Sequence, residues 1–154
     1  MRDAILDGAI RYYVRQSKRR LFFTTLQAST GSNLDLDNQI LLGGDNGLRG
    51  YPLRYQTGTS RALLTVEQRY FTDWYPFRLF RVGAAAFVDV GRTWGETPVG
   101  EPSLGLLKDI GIGLRIGNTR SGLGNMIHID LAMPLDGDSS IDKLQINVET
   151  KERF

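Results

Sequence analysis

The side chains best placed to do chemistry in this chain are one arginine and two acids. Arg49 lies in a glycine-rich stretch, residues 43–55, whose turn-forming residues indicate a loop between strand-like segments. Downstream, Glu67 and Asp89 are single acids within strand-like segments. A charge that leaves water needs an opposite charge beside it, so this combination favours an ion pair. The pattern predicts a loop that folds inward onto the strands and is held there by charge.

Patterns for catalysis or metal binding are weaker. His128 is the only histidine, and it stands two positions before Asp130 on the polar side of a strand-like segment. Further ligands that would complete a metal site cannot be placed beside it. The glycines at 111, 113 and 117 lack the following helix that a dinucleotide site requires, and no Gly-x-Ser-x-Gly elbow is present. We therefore expect no enzyme activity, no cofactor and no metal.

Composition sets the broad class of the protein. The 154 residues include 19 basic and 17 acidic side chains, a balance that gives no strong field for nucleic acid. A basic cluster at residues 15–20 fits a charged turn at a membrane surface better than a nucleic-acid stripe, so we expect no nucleic-acid partner. Cysteine is absent, which excludes disulfides and Cys-ligated metals. The 18 glycines and the many aromatic residues favour strands and turns.

Alternation of apolar with polar or small residues predicts long β-strands. In the clearest case Ile110, Ile112, Leu114 and Ile116 are separated by single glycine or arginine residues. Similar patterns give seven strands in all and no helix. Residues 1–154 are therefore expected to form an all-β domain, an antiparallel meander of about seven long strands. The strands are predicted near residues 10–15, 20–30, 60–72, 82–91, 109–116, 126–133 and 143–149.

Strand patterning alone leaves open which face of the sheet meets water. A soluble sandwich would bury the same aliphatic side chains. Three features favour a membrane barrel: strands of ten or more residues where soluble strands average about five or six, glycine and single charges on the polar face, and aromatic residues at strand ends. No run approaches the roughly 18 apolar residues of a membrane helix. We favour a transmembrane β-barrel, with a soluble all-β binding module as an alternative.

Connection lengths predict the side on which each loop lies. The longest connection, residues 31–59, contains Arg49 and is placed outside, because outer-membrane barrels have long outer loops and short periplasmic turns. Counting strands from there places the turns at 17–19, 72–80 and 118–124 on the periplasmic side. The C-terminal Phe154 would then close the last strand in the periplasm.

Three segments, taken in order, carry a family resemblance. Residues 42–51 read Leu-Gly-Gly-Asp-Asn-Gly-Leu-Arg-Gly-Tyr, residues 86–91 read Ala-Phe-Val-Asp-Val-Gly, and residues 112–115 read Ile-Gly-Leu-Arg. They resemble the inward-folded loop motif and two later strand motifs of the bacterial surface antigen family. That family comprises outer-membrane barrel-assembly and translocation-assembly proteins. Together with the terminal Phe154, the order resembles the C-terminal part of such a barrel.

The resemblance implies roles for particular residues. The loop motif would enter the lumen of the barrel, where Arg49 would pair with Glu67 and Asp89. Phe87 would pack beside the arginine, and Phe154 would act as the C-terminal barrel signal. The residues of the loop motif are Leu48, Arg49, Gly50 and Tyr51.

The implied function is non-enzymatic, in the assembly and insertion of outer-membrane proteins or in protein translocation at the bacterial outer membrane. The expected partners are the lipid bilayer and unfolded or nascent outer-membrane proteins. Seven strands leave open edges, which cannot face lipid. The chain is therefore expected to be a fragment that lacks an N-terminal barrel half and periplasmic domains, or to close a barrel with further copies. An alternative is the membrane-anchor barrel of a multidomain protein such as a patatin-like lipase.

Overall fold

Most of the chain that the structure describes is β-strand. The computed structural model describes residues 4–32, 39–44, 47–95, 105–118, 125–136, 141 and 143–152. The only helical element in these ranges is a 3-10 turn at Pro76–Arg78. None of these residues belongs to a helix long and apolar enough to cross a membrane. Phe154, the predicted barrel signal, lies outside the described residues.

Nine strands occur within the described ranges, seven of them long. They are β1 (Ala4–Arg15), β2 (Arg20–Ser32), β3 (Ile40–Leu42), β4 (Gln56–Gly58), β5 (Ser60–Phe71), β6 (Phe80–Trp94), β7 (Leu107–Asn118), β8 (Asn125–Pro134) and β9 (Gln145–Glu152). The long strands form one sheet in the order β1-β2-β5-β6-β7-β8-β9, and every neighbouring pair is antiparallel. The predicted all-β antiparallel meander of about seven strands is confirmed.

The connection between β2 and β5 differs from the prediction. The sequence indicates one long loop at residues 31–59, whereas the structure pairs β3 with β4 inside it, with Leu41 opposite Thr57. Strands of three residues are too short to show an alternating pattern, which is why the sequence does not reveal them. The pairing of β3 with β4 brings the two ends of the loop together, and residues 48–51 between them lie over the main sheet.

From β5 to β9 the main sheet buries its polar face and exposes its aliphatic face, whereas β1 at the edge is exposed on both faces. On β6, Phe87 and Asp89 are 2 % and 1 % exposed, whereas Val88 between them is 39 % exposed. The same division continues on β7, β8 and β9, where eight aliphatic side chains are 37–67 % exposed and Ile116 and Ile129 are half-buried. Those exposed side chains are Ile110, Ile112, Leu114, Ile127, Leu131, Met133, Ile146 and Val148. Only the face beneath the loop is therefore shielded, and it is the face that carries the charges.

The antiparallel order places the connections at two opposite ends. Residues 16–19 and 72–79 join strands at one end, which we call the turn end. Residues 33–59 and 95–106 join strands at the other, the loop end. Exposed aromatic side chains gather at the turn end, where Trp74 and Phe77 are 66 % and 86 % exposed. At the loop end, Trp94 closes β6 and is 45 % exposed.

Candidate functional site: an ion cluster beneath the loop

A tight turn directs the loop motif onto the sheet. The Leu48 carbonyl accepts hydrogen bonds from the N–H groups of Gly44 at 3.2 Å and Tyr51 at 3.0 Å. Gly47 has a φ of 92°, and a Cβ there would lie 2.1 Å from Leu63 Cδ2, so both the backbone and the available space require glycine. This turn directs the next side chain, Arg49, at the buried face of the main sheet.

Gly50 brings the loop backbone into direct contact with the strands. Its N–H donates a 2.9 Å hydrogen bond to Asp109 Oδ2 on β7. A Cβ at this position would lie 2.5 Å from Asp109 Cβ and 3.0 Å from the Pro134 nitrogen. The glycine is therefore needed for close approach, since any side chain would lift the loop off the sheet.

Arg49 makes a bidentate ion pair with Asp89 on β6. Its Nε donates to Asp89 Oδ2 at 2.8 Å and its Nη2 donates to Oδ1 at 3.0 Å. The remaining nitrogen, Nη1, donates to Glu67 Oε2 on β5 at 2.9 Å and to Asp130 Oδ2 on β8 at 3.2 Å. One guanidinium thus joins three strands of the sheet. Its bidentate pairing with Asp89 fixes the orientation of the guanidinium and also balances its charge.

Two further contacts hold Arg49 in place. The guanidinium carbon lies 3.3 Å from the centroid of the Phe87 ring, which adds a cation–π interaction. The Arg49 carbonyl accepts a 2.5 Å hydrogen bond from Asn147 Nδ2 on β9. Phe87 itself lies over Gly111, where a Cβ would be only 2.4 Å from the ring. Together with Gly50, Arg49 therefore contacts every strand from β5 to β9.

The acids beneath Arg49 are bound by two more arginines. Arg69 Nε lies 2.5 Å from Glu67 Oε1, and Arg115 Nη2 lies 3.0 Å from the same oxygen. Arg115 Nη1 also lies 2.5 Å from Asp130 Oδ1. We call this set the ion cluster; it comprises Arg49, Glu67, Arg69, Asp89, Arg115 and Asp130. Its three cations balance its three anions.

A glycine on β7 makes room for the cluster. A Cβ at Gly113 would lie 1.9 Å from Asp130 Oδ1 and 2.6 Å from Arg115 Nη1. The side chains that meet there are almost fully buried, with 0 % exposure for Arg115 and 5 % for Asp130. Buried charges are tolerated only when they are paired and hydrogen-bonded, and here each has a partner of opposite sign.

The charge state of Arg49 follows from these neighbours. Burial by itself would lower the pKa of the guanidinium, but the hydrogen bonds and attraction of Asp89, with the attraction of Glu67 and Asp130, outweigh it and raise that pKa. Arg49 is therefore a permanent cation in this site, and its contacts cannot be released by deprotonation at accessible pH.

Tyr51 anchors the far side of the loop motif. Its hydroxyl lies 2.8 Å from the Lys108 carbonyl oxygen and 2.7 Å from that of Asp136, and accepts from the N–H groups of the same two residues at 3.3 and 3.2 Å. Leu48 and Tyr51 are 0 % and 1 % exposed and form a small apolar core with Leu42, Leu63 and Leu107. The loop motif is thus held by charge on one side and by apolar packing on the other.

The structure brings all the predicted loop and strand residues together. Leu48, Arg49, Gly50 and Tyr51 lie on the buried face, and Glu67, Asp89 and Phe87 contact Arg49 as the resemblance implies. Sequence reasoning missed Arg69, Arg115, Asp109 and Asp130 as members of the site. Asp130 and Arg115 were recognisable as charges at polar positions of their strands, but only the strand register shows that they meet.

The contacts within the site are ion pairs and hydrogen bonds. His128 is 3 % exposed and lies opposite Arg115 in the β7–β8 ladder. Within the described ranges, no three His, Cys, Asp or Glu side chains are grouped closely enough to hold a metal ion. The arrangement is suited to fixing one conformation of the loop. Comparison of the chain with protein-family models, with curated proteins and with solved structures finds no match.

Proposed function

We propose that this chain is the C-terminal portion of a transmembrane β-barrel of the bacterial outer membrane, with the loop motif inside the barrel. In this proposal the barrel assembles and inserts outer-membrane proteins or translocates protein, without enzymatic chemistry. The observation that carries the proposal is the inverted sheet. Its aliphatic face is exposed, and its charged face is covered by a loop.

Lipid is the solvent that best accounts for the exposed face. Contiguous apolar patches of more than a few hundred Å² are rare on soluble monomers, whereas barrel strands place apolar residues outward by design. On neighbouring strands Ile112 is 63 % exposed and Ile146 is 67 % exposed. Exposed aromatic residues at the turn end, such as Trp74, suit the belt found at membrane interfaces.

Strand direction favours additional strands over additional copies as the means of closing the barrel. With seven antiparallel strands in the described sheet, the edge strands β1 and β9 run in the same direction. A second copy in the same membrane orientation would therefore meet them with a parallel pairing. An odd number of further antiparallel strands closes the barrel with the pairing that membrane barrels use. We accordingly propose that an N-terminal barrel half is the missing partner.

The proposed role of the ion cluster is to keep the loop seated while neighbouring strands move. The loop motif contacts β5, β6, β7, β8 and β9, so its position is coupled to the shape of the whole C-terminal sheet. Assembly or translocation without nucleotide would draw its energy from the folding of the substrate protein. The assignment to assembly or translocation rests on the resemblance of residues 42–51, 86–91 and 112–115.

Membrane insertion is tested in the closed barrel that the proposal requires, because the open edges of β1 and β9 cannot face lipid. A purified protein that contains this chain and its proposed N-terminal half is mixed with lipid vesicles, and integration is measured by flotation, by resistance to carbonate extraction and by a mobility shift on heating in gel electrophoresis. The proposal predicts stable integration. A chain that stays monomeric and folded in buffer without lipid would contradict it and favour the soluble all-β module. The coding sequence upstream of residue 1 separates an assembly barrel from the anchor of a lipase-type enzyme.

A further inference from the structure

A fourth acid, Asp109 on β7, lies on the buried face beside the ion cluster. It is 0 % exposed, and its Oδ2 accepts the Gly50 N–H at 2.9 Å. Its other oxygen, Oδ1, is buried and accepts no hydrogen bond from the described residues. The charges of the ion cluster are already balanced without Asp109. An ionised Asp109 would therefore add an uncompensated negative charge to the buried face.

The strand register places Asp109 directly opposite Asp89. The two acids are partners in the β6–β7 ladder, and Asp89 is 1 % exposed. Cβ atoms at opposite positions lie about 4.5–5.5 Å apart, and like charges there are destabilising. The Asp109 carboxyl is also within hydrogen-bonding reach of Asp89. When two buried carboxyl groups share a site in this way, one of them keeps its proton.

Asp89 is the member of the pair that stays ionised. Its two oxygens accept from Nε and Nη2 of Arg49 at 2.8 and 3.0 Å. Within the described chain, the remaining guanidinium nitrogen donates to Glu67 and Asp130. The guanidinium therefore favours the ionised form of three other acids ahead of that of Asp109.

The other neighbours of Asp109 do not supply a compensating charge. From the loop motif, Tyr51 contributes a hydroxyl that is neutral below pH of about 10. On β8 the position opposite Asp109 is occupied by Pro134, which is uncharged. At the loop end, Lys108 and Asp136 pair with each other at 3.5 Å. A proton is thus the simplest way to balance Asp109.

We propose that Asp109 carries a proton at neutral pH and shares it with Asp89, as a proton-binding site beneath the loop motif. We call this pair the proton latch. The O–H of Asp109 donates to Asp89, and the carbonyl oxygen of the same carboxyl accepts from Gly50. Loss of the proton leaves two like charges at the base of the loop motif and weakens its contact with β7. The inference rests on contacts within the fold and does not depend on the proposed membrane location.

The direction of the pH effect follows from where the proton is bound. An unfolded chain releases the proton of an aspartate near pH of about 4, whereas the folded chain keeps that of Asp109. Between that pH and neutrality the folded state holds one more proton than the unfolded state. Rising pH therefore favours unfolding, and mildly acidic pH holds the loop motif most tightly.

The test compares three forms of the purified protein in detergent: the unaltered protein, Asp109→Asn and Asp136→Asn. The amide of Asp109→Asn can make both hydrogen bonds of the neutral carboxyl but cannot ionise. Asp136→Asn is the matched control, because it removes a carboxyl that pairs with Lys108 and does not face Asp89. Urea unfolding and protease cleavage near residue 49 are measured from about pH 5 to pH 7. Infrared spectroscopy at neutral pH measures the carbonyl stretch of a protonated carboxylic acid.

The expected result is a pH-dependent difference between the unaltered protein and Asp109→Asn. The ratio of their unfolding equilibrium constants should rise with pH, by up to about tenfold per pH unit, and the ratio of their cleavage rates should rise with it. Asp136→Asn should follow the unaltered protein.

Two results would overturn the proton latch. One is a ratio of unfolding constants that does not change with pH. The other is an infrared spectrum of the unaltered protein without a protonated carboxyl at neutral pH, a measurement that needs no variant to fold. Vesicle insertion is no part of this test, so its outcome bears on the proposed function alone.

Discussion

Arg49 and Asp89 are joined by two parallel hydrogen bonds, of 2.8 and 3.0 Å, although 40 residues separate them in the chain. The pair connects the tip of a loop to the middle of the main sheet. Asp89 is 1 % exposed, so each charge depends on the other for its solvation. This relationship turns a glycine-rich connection into a fixed part of the fold.

Removal of the loop cation should release the loop. Arg49→Met leaves Asp89 buried without its bidentate partner, and loss of one member of a buried pair costs about 3–5 kcal/mol. We expect the midpoint of urea unfolding in detergent to move to a lower urea concentration. We also expect protease cleavage near residue 49 to become faster. The control is Arg92→Ala, which removes an exposed arginine of the same strand as Asp89. It should change the unfolding midpoint and the cleavage rate only slightly. Equal stability of the two variants would contradict the assigned role of Arg49.

The close approach of Gly50 to Asp109 allows a steric test of the contact between the loop motif and the main sheet. Gly50→Ala places a methyl group 2.5 Å from Asp109 Cβ, so we expect a loss of about 1–3 kcal/mol, the usual cost of overpacking. Gly117→Ala is the matched control, because its nearest neighbour would be Met126 Cε at 3.9 Å. Proteolysis of the loop should rise in the first variant and stay unchanged in the second. The reverse order of sensitivity would show that the loop does not lie on β7 in solution.

Alkaline pH should loosen the tyrosine side of the loop. Burial raises the pKa of Tyr51, with attenuation by its backbone hydrogen bonds to Asp136 and Lys108. The folded state therefore prefers the protonated hydroxyl, and this stabilisation is complete below the ordinary tyrosine pKa of about 10 and falls as pH rises through the folded value. The Tyr51→Phe variant should be less stable than the unaltered chain at pH 8. Between pH 9 and 11, however, it should lose less stability than the unaltered chain does. The stability of both proteins is measured by urea unfolding across this pH range. An equal loss of stability in the two proteins would contradict this assignment.

Much of this architecture is accessible from the sequence, because long alternating runs such as that of Ile110 to Ile116 define strands and their two faces. The glycine-rich loop and the isolated acids Glu67 and Asp89 can likewise be recognised in the sequence. What the sequence does not reveal is register. Arg115 meets Glu67 only because β6 lies between their strands in a particular alignment, and a slip of one residue would move every side chain to the opposite face.

The short strands and the wider ion cluster illustrate the same limit. Ile40–Leu42 and Gln56–Gly58 are three residues each, so their pairing depends on the loop that they enclose rather than on local preference. Asp130 lies 81 residues from Arg49 in the chain, and nothing local to either residue indicates that they are neighbours. Both features arise from tertiary packing.

The most direct measurement of the central claim, that the aliphatic face meets lipid, is vesicle insertion of the Ile112→Arg variant of the closed barrel, which contains this chain and its proposed N-terminal half. Ile112 is 63 % exposed at the middle of β7, and a lipid-facing arginine at the bilayer midplane costs about 2–4 kcal/mol. Leu106→Arg, just before the same strand, is the control because it adds the same charge near the end of the sheet. The account predicts that Ile112→Arg loses flotation and the heat-dependent mobility shift while Leu106→Arg retains both. Normal folding of Ile112→Arg, with unchanged or improved solubility in buffer without lipid, would contradict it.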